Sequence, residues 1–279
     1  MKYLLFLLVL WGSVSDGQVI CTIAGGGTNL DGYPATSSRV CNPNCILFDK
    51  YGNLYISELS CNVIRKVGTN GIISTIAGTG AIGFNGDDIF ATFASLSSPE
   101  GIAIDSSGNI YISDHMNSRV RRIDIVTNVI STYAGSGVIG DTGDGGYATN
   151  AKIFPCDIAF DRLGNLYISD NTYHKIRKVD GRGIITTYAG VSGAGYSGDG
   201  GMATNAKLSG PTSLCISSNS DLYFVDGLNK RIRKVDSFGI ITTIAGNGNS
   251  IFNGDGISAT SAQIAPLGVA IDVYNNIYI

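Results

Sequence analysis

Five aspartates stand in glycine-rich loops at a near-constant interval: Asp31 in NLDGYPAT, Asp87 in FNGDDIFAT, Asp144 in DTGDGGYAT, Asp199 in YSGDGGMAT and Asp255 in FNGDGISAT. A carboxylate beside glycine can offer oxygen to calcium, but that ion takes about six to eight oxygens and each loop supplies fewer. The simpler expectation is that each carboxylate accepts backbone N–H bonds and closes its own turn. Arg65-Lys66, Arg119 with Arg121-Arg122, Lys175 with Arg177-Lys178, and Lys230-Arg231 with Arg233-Lys234 hold 12 of the 19 basic residues. Acids at matching distance, Glu58, Asp114, Asp170 and Asp226, are their expected partners. The only histidines are His115 and His174. A Ser-His-Asp arrangement could be written with His115 and Asp114, but no nucleophile elbow accompanies it. His115 remains a candidate on an exposed loop, and His174 has a packing role. Of six cysteines, Cys21, Cys41, Cys45 and Cys61 cluster near the N-terminus and depart from the repeat, so a disulfide is expected among them, with its pairing open. Cys215 replaces a small residue and reads as a buried thiol. The CxxC and histidine spacings of a zinc site are absent.

These residues are positioned by a repeat of about 56 residues. Leu54, Ile110, Leu166, Leu222 and Ile277 recur at intervals of 56, 56, 56 and 55. Each unit carries four apolar words; in the second they are GIAID, NIYIS, RVRRI and VISTYAG, joined by turn chemistry. One unit is therefore one four-stranded antiparallel sheet, with strands a, b, c and d. Sheets at constant spacing pack as blades around an axis, which predicts an all-β propeller with its innermost strand covered on both sides. In such a disc the d-to-a and b-to-c loops share one face, and the five aspartates would ring it.

A formal net charge of -3 and only 15% charged residues argue against a nucleic-acid surface, as does placing the basic strand c at blade interfaces. Residues 1–17, with Leu4 to Trp11 apolar and Gly12, Ser13 and Ser15 small, have the layout of a secretory signal peptide. Cleavage is expected after Ser15 or Gly17, and the apolar run is too short to span a bilayer. Residues 18–279 form the propeller: a lone strand d at Val19 to Gly25, four complete blades, and strands a and b of a fifth ending at Ile279.

The run DNTYHKIRKVD from Asp170, with DHMNSRVRRID from Asp114, DGLNKRIRKVD from Asp226 and the weaker ELSCNVIRKVG from Glu58, resembles the NHL repeat. The segments GDGGYATNAKIFP and GDGGMATNAKLSGP resemble its longer variant, found in secreted or surface proteins and teneurin-like ectodomains. The resemblance implies rings of six blades, which need about 336 residues, so an incomplete ring and a C-terminally truncated fragment are expected. It further implies a secreted or cell-surface binding or adhesion scaffold whose partner is an extracellular protein or glycan. A metal-dependent lyase or lactonase on the same scaffold is the alternative. Two histidines cannot build the multi-histidine zinc centre of the related amidating lyase, so no cofactor is expected, calcium being the ion such loops could hold.

Overall fold

The structure is a computed structural model that describes residues 21–28 and 30–279. The expected signal peptide lies outside the described residues, as do Val19 and Ile20 of the expected first strand. Residues 21–25 carry no strand. Among the described residues no helix is long and apolar enough to cross a membrane.

Blade one comprises β1 (Pro43–Phe48), β2 (Leu54–Glu58), β3 (Val63–Val67) and β4 (Ile73–Ala77), paired in that order. A short β5 (Ile89–Phe90) precedes blade two, formed by β6 (Pro99–Ile104), β7 (Ile110–Asp114), β8 (Arg119–Ile123) and β9 (Val129–Ala134). Blade three holds β10 (Pro155–Phe160), β11 (Leu166–Asp170), β12 (Lys175–Val179) and β13 (Ile185–Ala189). Blade four holds β14 (Pro211–Ile216), β15 (Leu222–Asp226), β16 (Arg231–Val235) and β17 (Ile241–Ala245). A final hairpin pairs β18 (Ala270–Ile271) with β19 (Ile277–Tyr278). The four-stranded antiparallel blades of a β-propeller are thus those the repeat foretells.

Four of the five a-to-b turns share one polar device that the repeat words only hint at; in blade four Ser217 stands in the aspartate's place. Asp49 accepts the N–H groups of Tyr51 and Asn53, the Asn53 side-chain amide and the Tyr55 hydroxyl. Asp105, Asp161 and Asp272 repeat the pattern with Asn109 and Tyr111, Asn165 and Tyr167, and Asn276 and Tyr278. One carboxylate therefore ties the hairpin turn to the second strand, satisfying donors that a tight turn would otherwise strand.

Apolar cores lie between consecutive blades. Ala103, Tyr111 and Val120 of blade two close on Ile158, Leu166 and Ile168 of blade three, with Ala148, Ala151 and Ile153 of the connection between them. Two expectations are corrected here. The strand buried along its whole length is the second, in all four blades; the innermost strand is only partly covered because it borders the axis. The d-to-a connection, expected as a loop on the face of the b-to-c loops, also runs beyond that face. It lies along the outermost strand of the following blade: Ile89 and Phe90 pair with Ile130 and Val129, and Pro34, Tyr147 and Met202 bridge Ile72, Ile184 and Ile240. An unpaired outer edge invites association, and this connection covers part of it.

Candidate functional site

Arginine on the third strand organises each blade. Arg65, Arg121, Arg177 and Arg233 sit directly opposite Ile56, Ile112, Ile168 and Phe224, and the last three arginines are fully buried. A buried guanidinium needs anions; two converge on it in blades one, two and four, whereas Arg177 of blade three meets one. From the end of the second strand, Glu58 reaches Arg65 at 3.3 Å, Asp114 reaches Arg121 at 3.5 Å and Asp226 reaches Arg233 at 3.1 Å. From the preceding connection, Asp31, Asp87 and Asp199 meet the same three arginines at 2.7, 3.0 and 2.8 Å, and Asp144 contacts Arg177.

This placement corrects the role expected of the loop aspartates. The glycine turn closes through its own backbone, as Gly146 N–H donates to Gly143 O and Gly201 N–H to Gly198 O. The carboxylates clasp the arginine and bond the fourth strand: Asp31 accepts the Thr75 N–H at 2.8 Å, and hydroxyls donate from Thr75 to Asp31, Thr132 to Asp87 and Thr187 to Asp144; at Asp199 the hydroxyl of Tyr196 joins it to Thr243. Only Asp255 has no ion-pair partner among the described residues.

Burial pushes Asp144 and Asp199 up, but the threonine and arginine contacts outweigh it and hold both below the usual carboxylate range. Burial prevails at the inner partners, taking Asp114 and Asp170 up to about 6 and raising Glu58 and Asp226 despite their hydrogen bonds.

The first residue of the third strand varies together with the residue three before each loop aspartate. Arg119 lies over the Phe84 ring at 3.9 Å and Arg231 over Tyr196 at 3.8 Å. In blade three the pair becomes ionic, Lys175 to Asp141 at 2.8 Å. Loop and strand are therefore one unit, exchanging cation–π for charge pairing at the same place.

A second cluster forms at the axis, where sequence spacing gave no warning. The first strand of each complete blade has an irregularity after its leading proline, between Pro43 and Ile46, Pro99 and Ile102, Pro155 and Ile158, and Pro211 and Leu214. Such bulges re-aim side chains. The residues so freed, among them Cys45, Glu100, Cys156, Asp157 and Ser213, line an axial cavity of about 1180 Å³. Asp157 accepts the N–H groups of Ile158 and of Leu214 in the next blade, at 2.9 and 2.8 Å. Burial takes its carboxyl up to about 6, and burial likewise pushes the Cys45 and Cys215 thiols up to about 12.

His115 joins this cluster. Its Nε2 stands 3.8 Å from Glu100 Oε1, its Nδ1 is 2.9 Å from Pro155 O, and its ring packs on Phe154 at 3.9 Å between centroids. His174 accepts the Gly210 N–H at Nδ1 from a left-handed backbone position equivalent to those of Asn62, Ser118 and Lys230.

The disulfide joins Cys41 to Cys61, with Cα atoms 5.7 Å apart. Cys61 occupies the place of Asn117 and Asn229, whose amides bond Asp114 and Asp226 in their own blades. Cys21, Cys45, Cys156 and Cys215 are free thiols; Cys156 is buried, Cys45 and Cys215 are half-buried, and Cys21 is exposed.

A family model described as the NHL repeat matches residues 96–123, and one described as the teneurin NHL domain matches residues 193–253. Human teneurin-1 is 27% identical over 237 residues, 79% of this chain, and human teneurin-4 is 30% identical over 229 residues, 73% of this chain. The match spans 8% of the length of each of these relatives. Among solved structures, a nidogen/laminin complex aligns with a TM-score of 0.54 and 19% identity, covering 81% of this chain and 67% of that one. That likeness is one of fold.

Proposed function

Starting from a chain that carries NHL repeats in a β-propeller, we propose that it is a secreted or cell-surface binding module. It engages an extracellular protein through the surface of its d-to-a connections, where they run along the outer strands to the c-to-d turns. One observation carries this reading: large apolar side chains stand exposed at equivalent positions of successive connections. Phe90, Tyr147 and Met202 are 55%, 65% and 48% exposed, each one residue before a buried alanine. Those alanines, Ala91, Ala148 and Ala203, donate their N–H groups to Asn128, Gly183 and Gly239 of the following blade, so the side chains project from a pinned backbone. Phe93 adds a second ring 6.2 Å from Phe90. An apolar row held outward on a rigid base costs solubility unless it meets a partner. The similarity to teneurin NHL domains and the Cys41–Cys61 disulfide support an extracellular setting.

The test couples the purified chain to beads and measures capture on cell surfaces. Binding by the wild type, lost in a Phe90→Ser, Tyr147→Ser, Met202→Ser variant that still unfolds cooperatively, is the expected outcome. Binding that survives the triple substitution defeats the surface assignment, and no binding by the wild type defeats the module. Loss after glycosidase treatment of the cells, with protease treatment harmless, would replace the protein partner by a glycan.

A further inference from the structure

We propose that Glu100, His115 and Cys156 form a three-ligand site for a divalent cation of the zinc class, beside the axis between blades two and three. One ligand atom from each residue lies within 4.8 Å of the other two, close enough for small side-chain shifts to bring all three onto one ion. Two of the three come from the bulged starts of β6 and β10, and the histidine follows β7, so three separate segments converge.

The imidazole gives the sharpest sign. A carbonyl oxygen only accepts, so the 2.9 Å contact with Pro155 O puts the ring proton on Nδ1 and leaves the Nε2 lone pair free. That lone pair faces a Glu100 oxygen at 3.8 Å, which in a carboxylate is also an acceptor. Two acceptors turned toward each other are reconciled by a cation between them, a proton or a metal ion, and the buried thiol beside them supplies the third ligand a metal ion would use; a backbone carbonyl behind the imidazole is the usual support for a metal-bound histidine.

The surroundings hold these groups in place. Phe154 fixes the ring plane, and the Ser57 hydroxyl donates to Glu100 O at 2.6 Å. Side-chain exposure is 12% for His115 and 20% for Glu100, and Cys156 is 4% exposed. Nitrogen, sulfur and oxygen donors together suit zinc better than calcium or magnesium, which take oxygen. Three protein ligands leave a fourth position, and Glu100 and Cys156 border the axial cavity, where water or a small ligand could fill it. Binding displaces the Cys156 thiol proton to solvent as the sulfur–metal bond forms. The other cysteine-containing group, Cys41, Glu58 and Cys61, carries no such proposal because its two sulfurs are bonded to each other.

The test uses the full chain stripped with a chelator, then titrated with Zn²⁺ and, for its spectrum, Co²⁺. One equivalent should bind, and Co²⁺ should show a thiolate charge-transfer band with tetrahedral ligand-field absorption. Cys156→Ser should remove the band, whereas Cys21→Ser and Cys215→Ser should keep it. His115→Gln should weaken Zn²⁺ affinity by about 100-fold or more, the upper end of what loss of even a supporting contact costs. If Cys156→Ser fails to fold, Glu100→Gln decides: weaker Zn²⁺ binding with the charge-transfer band retained supports the site, and unchanged affinity overturns it. The proposal also falls if the wild type binds no stoichiometric Zn²⁺ or Co²⁺, leaving His115 and Glu100 a simple polar pair, or if the band persists in Cys156→Ser.

Discussion

In blades one, two and four the strand-c arginine is held by one deep and one half-exposed acid, and the two should differ in weight. In blade four, Asp226 is fully buried whereas the side chain of Asp199 keeps 38% exposure. Removing the cation strands a buried carboxylate, so Arg233→Met should cost about 3–5 kcal/mol in denaturant unfolding, whereas Asp199→Ala should cost about 1 kcal/mol. Near-equal losses would show that depth does not set the cost. The oxygens of Asp144 and Asp199 already serve arginine and hydroxyl donors, so millimolar calcium should leave the melting temperature unchanged; a rise abolished by Asp144→Ala would overturn this. The two kinds of acid also respond oppositely to pH. Asp199 is held below its unfolded value, so its contribution is present above about pH 4 and is lost as pH falls through the folded value. Asp170, pushed up to about 6 first by burial, binds its proton more tightly when folded, so it adds stability as pH falls from about 6 toward 4. Between pH 7 and 4 the wild type should therefore gain on Asp170→Asn, and parallel stability curves would refute that linkage.

The strand pattern was legible because apolar words such as GNIYIS repeat at a fixed interval, and a four-word unit has few ways to pack. Burial of strand b rather than strand a was hidden, since both read as continuous apolar runs and only the axis distinguishes them. The connections misled for a related reason. GDGG signals a turn, but nothing local says that its aspartate will meet an arginine more than 30 residues later; the recurring interval from Asp31 to Arg65 and from Asp87 to Arg121 held that signal. Glu100, His115 and Cys156 lie apart in sequence, and the bulge that joins them leaves no fixed residue type behind. The disulfide shows what an element can gain from a local departure. It closes a separation of 20 residues between the lead into β1 and the turn after β2, where other blades use an asparagine amide. Closing a loop of that size stabilises by roughly 3 kcal/mol in the chain-entropy account. Reduction, or Cys41→Ala with Cys61→Ala, should lower denaturant stability by about that much, and an unchanged midpoint would show the bridge to be dispensable.

At the scale of the whole molecule the blades form a chain of neighbours, since three core clusters join consecutive blades and the connections leading into blades one to four pair with the outer strand of the blade that follows. The covalent bridge lies in the first of these blades, and it bears on the proposed extracellular setting. A disulfide persists in an oxidising compartment, and on the proposed reading the Leu4 to Trp11 run with small residues behind it would be the leader that takes the chain there. The two features are independent, one drawn from folded geometry and the other from the first residues, and together they predict one product. Protein recovered from the medium of expressing cells should lack the first 15 to 17 residues, and with them Trp11, the sole tryptophan. It should also be lighter by two hydrogens than the fully reduced form, with Cys41 and Cys61 recovered in one disulfide-linked peptide pair. Intact-mass measurement followed by non-reducing peptide mapping reads both properties on the same sample. Retention of Met1 or Trp11 would sink the leader, and free Cys41 and Cys61 in exported protein would sink the link between this blade and its compartment.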